Sequence, residues 1–168
     1  GKWALQCVGH DPDVEVTILD LPQQIRLMQK ETSGKPGAER IHGCGGNLLD
    51  PATKFPRDKE YDVIWMSQFL DCFSLSQITK ILKKVHEAAT EETNVYVLEP
   101  LWDKQRFETA SYSLQATSLY FTCIANGNSK MYRYEELVNA ICKAGFELKT
   151  AHHNLGSNAY SLLVFRKK

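Results

Sequence analysis

The chain has 168 residues, 43% of them hydrophobic, a length that supports one domain with a sizeable core. Twenty basic and twenty acidic residues cancel to a formal net charge of zero. Nothing in that balance calls for nucleic acid or an anionic membrane, and no run of about 18 apolar residues is present to span a bilayer. Five cysteines, an odd number without a CxxC pair, read as reduced thiols of a cytoplasmic protein. Neither they nor the adjacent His152 and His153 have the clustered spacing of a metal site.

Residues 2–8 carry a helical pattern closed by Gly9-His10-Asp11-Pro12, and 14–19, rich in β-branched residues, predict a strand. Pro22 fits the first turn of a helix over 22–32, with Ile25 and Met28 three apart. After the loop Ser33-Gly34-Lys35-Pro36-Gly37, residues 40–44 predict a strand, and Gly45-Gly46 let the backbone turn closely past whatever sits there. The apolar run at 62–68 has the pattern of a strand buried on both faces. Ser74 and Gln77 have capping-box spacing, ahead of Ile78, Ile81, Leu82 and Val85 at helical intervals. A strand over 94–98 precedes a long helical pattern over 106–125, broken at Asn126-Gly127-Asn128. A helix over 134–144 is ended by Gly145, and strands over 147–153 and 160–166 close the chain. Strands alternating with helices make an α/β sheet.

Asp20, at the end of an apolar strand, is the first candidate for chemistry. At the carboxyl end of a strand in an open α/β sheet, an Asp accepts hydrogen bonds from both hydroxyls of a ribose. Nicotinamide dehydrogenases and adenosylmethionine-dependent methyltransferases both use that arrangement. Asp just before a Pro at the first helical position is also a favoured helix cap, and the two roles stand side by side at this point.

Five motifs in order then carry a resemblance: Asp20-Leu21-Pro22, Gly46-Asn47-Leu48, residues 61–70 (Tyr61 to Leu70), residues 95–100 with Glu99-Pro100, and Ala144-Gly145-Phe146. Together they resemble the class I adenosylmethionine-dependent O-methyltransferases, the family of plant caffeate-type and bacterial small-molecule enzymes. The resemblance runs over essentially the whole chain. It implies a Rossmann-like, mostly parallel sheet with a C-terminal antiparallel hairpin, and methyl transfer from S-adenosylmethionine to a small-molecule acceptor, most simply at a hydroxyl oxygen. Residues 1–168 are then expected to be the cofactor-binding catalytic domain, with the family's first strand and its helical dimerisation domain lying upstream. A cytoplasmic homodimer formed through that upstream portion is the matching expectation.

Residue by residue, the resemblance implies that Asp20 holds the ribose, with Leu21 packing nearby. Asn47 takes the position whose polar side chain reaches the adenine amino group, flanked by Gly46 and Leu48. Gly1 stands where the last glycine of the family's glycine-rich motif falls, and Ser67 ends the strand that leads to the chemistry. An ordinary Asn in a turn is the plainer account of Asn47.

The acid–base half departs from the family. The position of the family's general-base His falls on Asp71, and that of a second supporting Glu falls on Met131; Glu99 keeps the Glu that buttresses the His. An unperturbed Asp titrates near 3.9 and a phenol near 10, so Asp71 is mismatched as a base by about six pH units. Asp71 is therefore expected to aim a hydroxyl or to serve an acceptor that arrives ionised, and two neighbouring carboxyls at 71 and 99 are expected to share a proton. Met131 reads as an apolar substrate contact or as core. His153 or His152 could supply a base, although adjacent histidines on an alternating strand more often divide between solvent and core. Tyr112, Tyr120 and Phe121 lie on the helix that lines the family's acceptor pocket, at a spacing usual for core. Two other functions fit the same residues: a cofactor-binding regulatory or assembly protein that does not methylate, and a nicotinamide dehydrogenase.

Overall fold

The computed structural model describes residues 1–56, 60–125 and 127–168. The chain divides into two compact units, Gly1–Pro56 and Arg57–Lys168.

The first unit contains α1 (Lys2–His10), β1 (Val16–Asp20), α2 (Pro22–Thr32) and β2 (Ile41–Gly45), the last preceded by a single 3-10 turn. β1 and β2 pair in parallel from Val16 opposite Ile41 to Asp20 opposite Gly45. Pro22 opens α2, where its missing N–H costs nothing. Ala4, Val8, Ile25 and Met28 are buried. Gly43 lets α2 lie close on β2, since a Cβ there would stand 2.6 Å from the Ile25 side chain. The Arg40 guanidinium donates to three carbonyls, Val8 at 2.6 Å, Asp11 at 2.8 Å and Val14 at 2.9 Å. It thereby satisfies backbone oxygens at the end of α1 and at the approach to β1, groups that neither element can pair internally.

The second unit contains β3 (Val63–Ser67), α3 (Leu75–Ala88), β4 (Asn94–Glu99), α4 (Glu108–Tyr120), α5 (Tyr134–Lys143), β5 (Phe146–Leu155) and β6 (Tyr160–Lys167). Its sheet has the order β3-β4-β6-β5, with β3 parallel to β4 and the other two pairings antiparallel. Alternate residues of β4 and β6, Val95, Val97, Leu163 and Phe165, are fully buried. So are Ile78, Ile81 and Leu82 of α3 and Leu137 and Ile141 of α5. The capping box is formed at α3: Ser74 Oγ accepts the Gln77 N–H, and Gln77 Oε1 accepts the Ser74 N–H at 3.0 Å. Gly145 follows α5 at φ +99°, where a Cβ would meet the His86 ring at 2.8 Å.

The expected elements are present in the expected order, and the sheet with its terminal hairpin is the α/β arrangement read from the sequence. Three details differ. β3 alternates between more and less buried positions, with Val63 47% exposed, so one of its faces is only partly covered. The pattern over 106–125 resolves into α4 and a five-residue π turn, Phe121–Ala125. Its expected break begins at Asn126, outside the described residues, and continues at Gly127 with φ +75°.

Ser74→Ala is expected to destabilise the protein by about 1 kcal/mol through loss of the cap. Gly145→Ala is expected to cost at least as much, from the φ conflict and the His86 contact together. Urea unfolding of the two variants checks both.

Candidate functional site

In the first unit the ends of both parallel strands meet. The Gly46 N–H donates to the Asp20 carbonyl at 2.9 Å, so the segments leaving β1 and β2 begin side by side. The cap position of α2 is Leu21, which provides no side-chain cap. Asp20 Oδ1 instead accepts the adjacent Leu21 N–H at 2.7 Å and the residue is exposed, so its carboxylate is not consumed by the helix. Of the two roles open to Asp20, helix capping drops out. Gly46 must be small, since a Cβ would stand 2.6 Å from the Thr53 side chain. Asn47 Oδ1 accepts the Leu49 N–H at 3.0 Å, the Asx-turn geometry of the plainer account, with the residue exposed; Leu48 is half-buried. Gly1 caps α1 through its carbonyl, which accepts the Leu5 N–H at 3.0 Å.

In the second unit Ser67 ends β3, and the backbone then turns sharply at Gln68, a non-glycine residue at φ +46° whose N–H donates to the Leu98 carbonyl at 2.9 Å. The turn aims the next two N–H groups at one atom: Glu99 Oε1 accepts from Phe69 at 2.9 Å and Leu70 at 2.8 Å. Glu99 is 2% exposed, and its Oε2 has no partner among the described residues. Burial first, and the Asp71 charge second, push its carboxyl up to about 8. Asp71, in the 3-10 turn Leu70–Cys72, is itself raised, chiefly by burial. At neutral pH Glu99 therefore holds a proton beside Asp71. Oε1 already accepts two N–H groups, so the proton belongs on Oε2. The exposed thiol of Cys72 is pushed up to about 11 by partial burial and by Asp71.

Beside these strand ends lies a cavity of about 500 Å³. Gln68 and Pro100 form its floor, Ala110, Ser113, Leu114 and Thr117 of α4 one wall, and Ser157 to Tyr160 of the hairpin another. Met131, 9% exposed, lines it too, so it is buried as a core residue is and borders the cavity. The expected contributions of Tyr112, Tyr120 and Phe121 are corrected. Tyr112 and Tyr120 are 74% and 55% exposed, Phe121 is half-buried, and none of the three lines the cavity. The cavity takes the i, i+3, i+4, i+7 face that starts at Ala110; Tyr112 lies off that face, and Tyr120 and Phe121 continue it beyond the end of the cavity. His153 Nδ1 pairs with the buried Ser161 hydroxyl at 2.8 Å and His152 is exposed; neither lines the cavity. Sequence reasoning missed the hairpin tip and the segment Gln105-Arg106-Phe107, which also line it.

The O-methyltransferase domain model matches residues 1–147. The chain belongs to that family. No curated protein sequence matches it. Among solved structures, LaPhzM superposes with TM-score 0.83 at 16% identity, covering 100% of this chain and 47% of that one. PigF, solved with SAH, gives 0.80 at 20% over 99% and 48%. A protein described as a pericyclic reaction enzyme gives 0.78 at 16% over 98% and 39%. The fold of this O-methyltransferase-family domain is thus the Rossmann-like class I methyltransferase fold. The chain spans about half the length of the solved relatives or less.

An unfolded Glu titrates at its ordinary 4.5 and native Glu99 at about 8. Between those values the native state binds the extra proton, so the contribution is full below pH 4.5 and is lost as pH rises through about 8. Glu99→Gln retains an oxygen for the Phe69 and Leu70 N–H groups but does not titrate. Wild type is expected to lose several degrees of Tm relative to the Gln variant between pH 5 and 9, read by thermal unfolding at each pH.

Proposed function

We propose that the protein transfers a methyl group from S-adenosylmethionine to a small-molecule acceptor, most simply at a hydroxyl oxygen. The observation that carries the reading is the exposed Asp20 carboxylate at the end of β1, left unused by α2, in a chain whose family is that of the O-methyltransferases. These residues fit the cofactor. Asp20 would accept the ribose hydroxyls, Leu21 and Leu48 would pack against apolar parts, and Gly1 and Gly46 would let the backbone approach the ligand. Asn47 would use the lone pair that its Asx turn does not engage to meet the adenine amino group, a weaker contact than a carboxylate would make. When bound, S-adenosylmethionine supplies the activated methyl.

The chain's own part is placement. The cavity takes the acceptor. The 71–99 pair acts as one acid, in which Glu99 holds a proton at neutral pH; neither residue lines the cavity, so the pair acts on its floor through the turn at Gln68. A phenol near pKa 10 remains a poor partner for proton transfer to Asp71. Alignment of the nucleophile supplies the acceleration for an acceptor that arrives ionised: an acidic phenol, an enol, a thiol or a carboxylic acid. A caffeate-like phenol is the family's precedent for shape. A cytoplasmic location and a homodimer made through the part of the relatives that this chain does not span complete the proposal, together with residues 1–168 serving as the cofactor-binding catalytic domain.

Asp71 and Met131, in place of a base and its supporting acid, favour a second reading in which the cofactor binds and no methyl moves. A relative described as catalysing a pericyclic reaction lends it support. A nicotinamide dehydrogenase draws none from the family match.

Calorimetry with S-adenosylhomocysteine is expected to give binding that Asp20→Asn weakens at least tenfold, about 1.4 kcal/mol, with NAD giving no heat. Mass spectrometry with labelled S-adenosylmethionine and a panel of phenols, thiols and acids then separates the two readings: label transfer supports methylation, and binding without transfer to any acceptor supports the second.

A further inference from the structure

The turn that carries Asp71 is held from two sides. On one side Glu99 takes its N–H groups at Phe69 and Leu70. On the other, a strap of residues 129–132 takes its carbonyls: the Lys130 N–H donates to Asp71 at 2.8 Å, and the Tyr132 hydroxyl donates to Phe73 at 2.5 Å. The turn's own bonds, from Cys72 to Phe69 and from Phe73 to Leu70, use other carbonyls, so the strap supplies donors that the turn lacks. Tyr132 is 3% exposed, and burial first, with Glu136, Asp71 and Glu99 after it, pushes its phenol up to about 12, so the hydroxyl stays a donor. The Tyr132 carbonyl accepts the Trp102 N–H at 3.4 Å. The Lys130 ammonium lies 5.2 Å over the Tyr132 ring and pairs with Glu136 of α5 at 2.6 Å.

Met131 stands between the two ties and lines the cavity. Its N–H donates to Ser118 Oγ at 3.1 Å, and the Thr122 hydroxyl donates to the Ser129 carbonyl at 2.9 Å, so the strap is also fastened to α4 and the π turn that follows it. Earlier turns of α4 form a cavity wall, whereas Asp71 and Glu99 do not line the cavity. One short segment thus joins the cavity to the carbonyl side of the Asp71 turn. A buried tyrosine brings a hydroxyl that needs a partner, and this one is spent on the turn, 59 residues away in sequence.

We infer that Tyr132 is a positioning residue for the carboxyl pair: with the Lys130 N–H it fixes the carbonyl side of the turn, and through Met131 it ties the place of Asp71 to the wall of the cavity. The assignment rests on the reading of the cavity and the pair as the acceptor end of the site, and it gives the pair a mechanical route to a ligand that it does not touch. Loss of the hydroxyl strands the Phe73 carbonyl and lets the turn rise from Glu99. Water then reaches Glu99 and Asp71 moves off, so the two causes that raise the Glu99 carboxyl both weaken. The groups that face Glu99 are Asp71 and Cys72 on the turn, Tyr132 on the strap with Lys130 and Glu136 beside it, and Ser161 opposite on β6, which pairs with His153. Of these, the substitution releases the turn alone.

The test follows the glutamate carboxyls of the full chain by carbon NMR across the neutral range, the Glu99 signal being the one missing in Glu99→Gln. In wild type that signal is expected to titrate at about 8. Tyr132→Phe, which keeps the ring, is expected to lower the midpoint by about one pH unit or more and to speed amide exchange at Phe69 and Leu70 about fivefold or more, with Val95 and Val97 unchanged. Ser118→Ala, which cuts the fastening to α4, is expected to move both readouts the same way by less. Gly145→Ala, which costs stability without touching the strap, is expected to leave the midpoint where wild type has it. A wild-type midpoint in the ordinary range for Glu, no shift in Tyr132→Phe, or an equal shift in Gly145→Ala overturns the assignment; Ser118→Ala decides by the same criterion if Tyr132→Phe fails to fold. No cofactor or acceptor enters the measurement. Label transfer to none of the acceptor panel, with the Tyr132→Phe shift present, would sink the methyl-transfer reading and leave the positioning role standing.

Discussion

One buried carboxyl group organises the working end of the second unit. Glu99 Oε1 collects the N–H groups of Phe69 and Leu70, two donors that a sharp turn removes from the sheet and that would otherwise be stranded. The turn depends on Gln68 holding a conformation that costs a non-glycine residue energy, and those bonds offset the cost. Glu99 thereby fixes where Asp71 stands, where the floor of the cavity lies, and how the backbone leaves β3. A carboxyl so enclosed accepts a proton at neutral pH instead of remaining an anion.

The consequence for chemistry is a site with little basic power and good positional control. Asp71, a carboxyl in place of a group that titrates near neutrality, is a weak base toward a phenol, and Met131 gives the cavity an apolar lining. What remains suits a reaction whose difficulty lies in alignment and exclusion of water more than in proton removal.

Much of the fold was legible because its signals are local. Pro22, the Ser74 and Gln77 pair, and Gly145 each mark a boundary by a backbone requirement, and the structure puts α2, α3 and the end of α5 at those marks. The position of Asp20 was legible too, though only the structure shows α2 capped at Leu21. The cavity was not. Its walls come from residues 68, 100, 105–117, 131 and 157–160, joined through strained backbone at Asn154 and Ala159 that no composition rule announces. Helical spacing did not say which stretch of α4 the cavity would use: Tyr120 and Phe121 continue the face of Ala110, Ser113, Leu114 and Thr117 but lie past the cavity's end. The half-exposed face of β3 was hidden for a related reason: an apolar run does not reveal which of its neighbours will be present to cover it.

Cys72 shows how the enclosed turn acts on a neighbouring thiol. Partial burial first, and the Asp71 charge second, push it up to about 11, so little of it is thiolate at physiological pH, the form that alkylating agents and peroxides attack. Though exposed, it is a poorer nucleophile than an ordinary surface thiol.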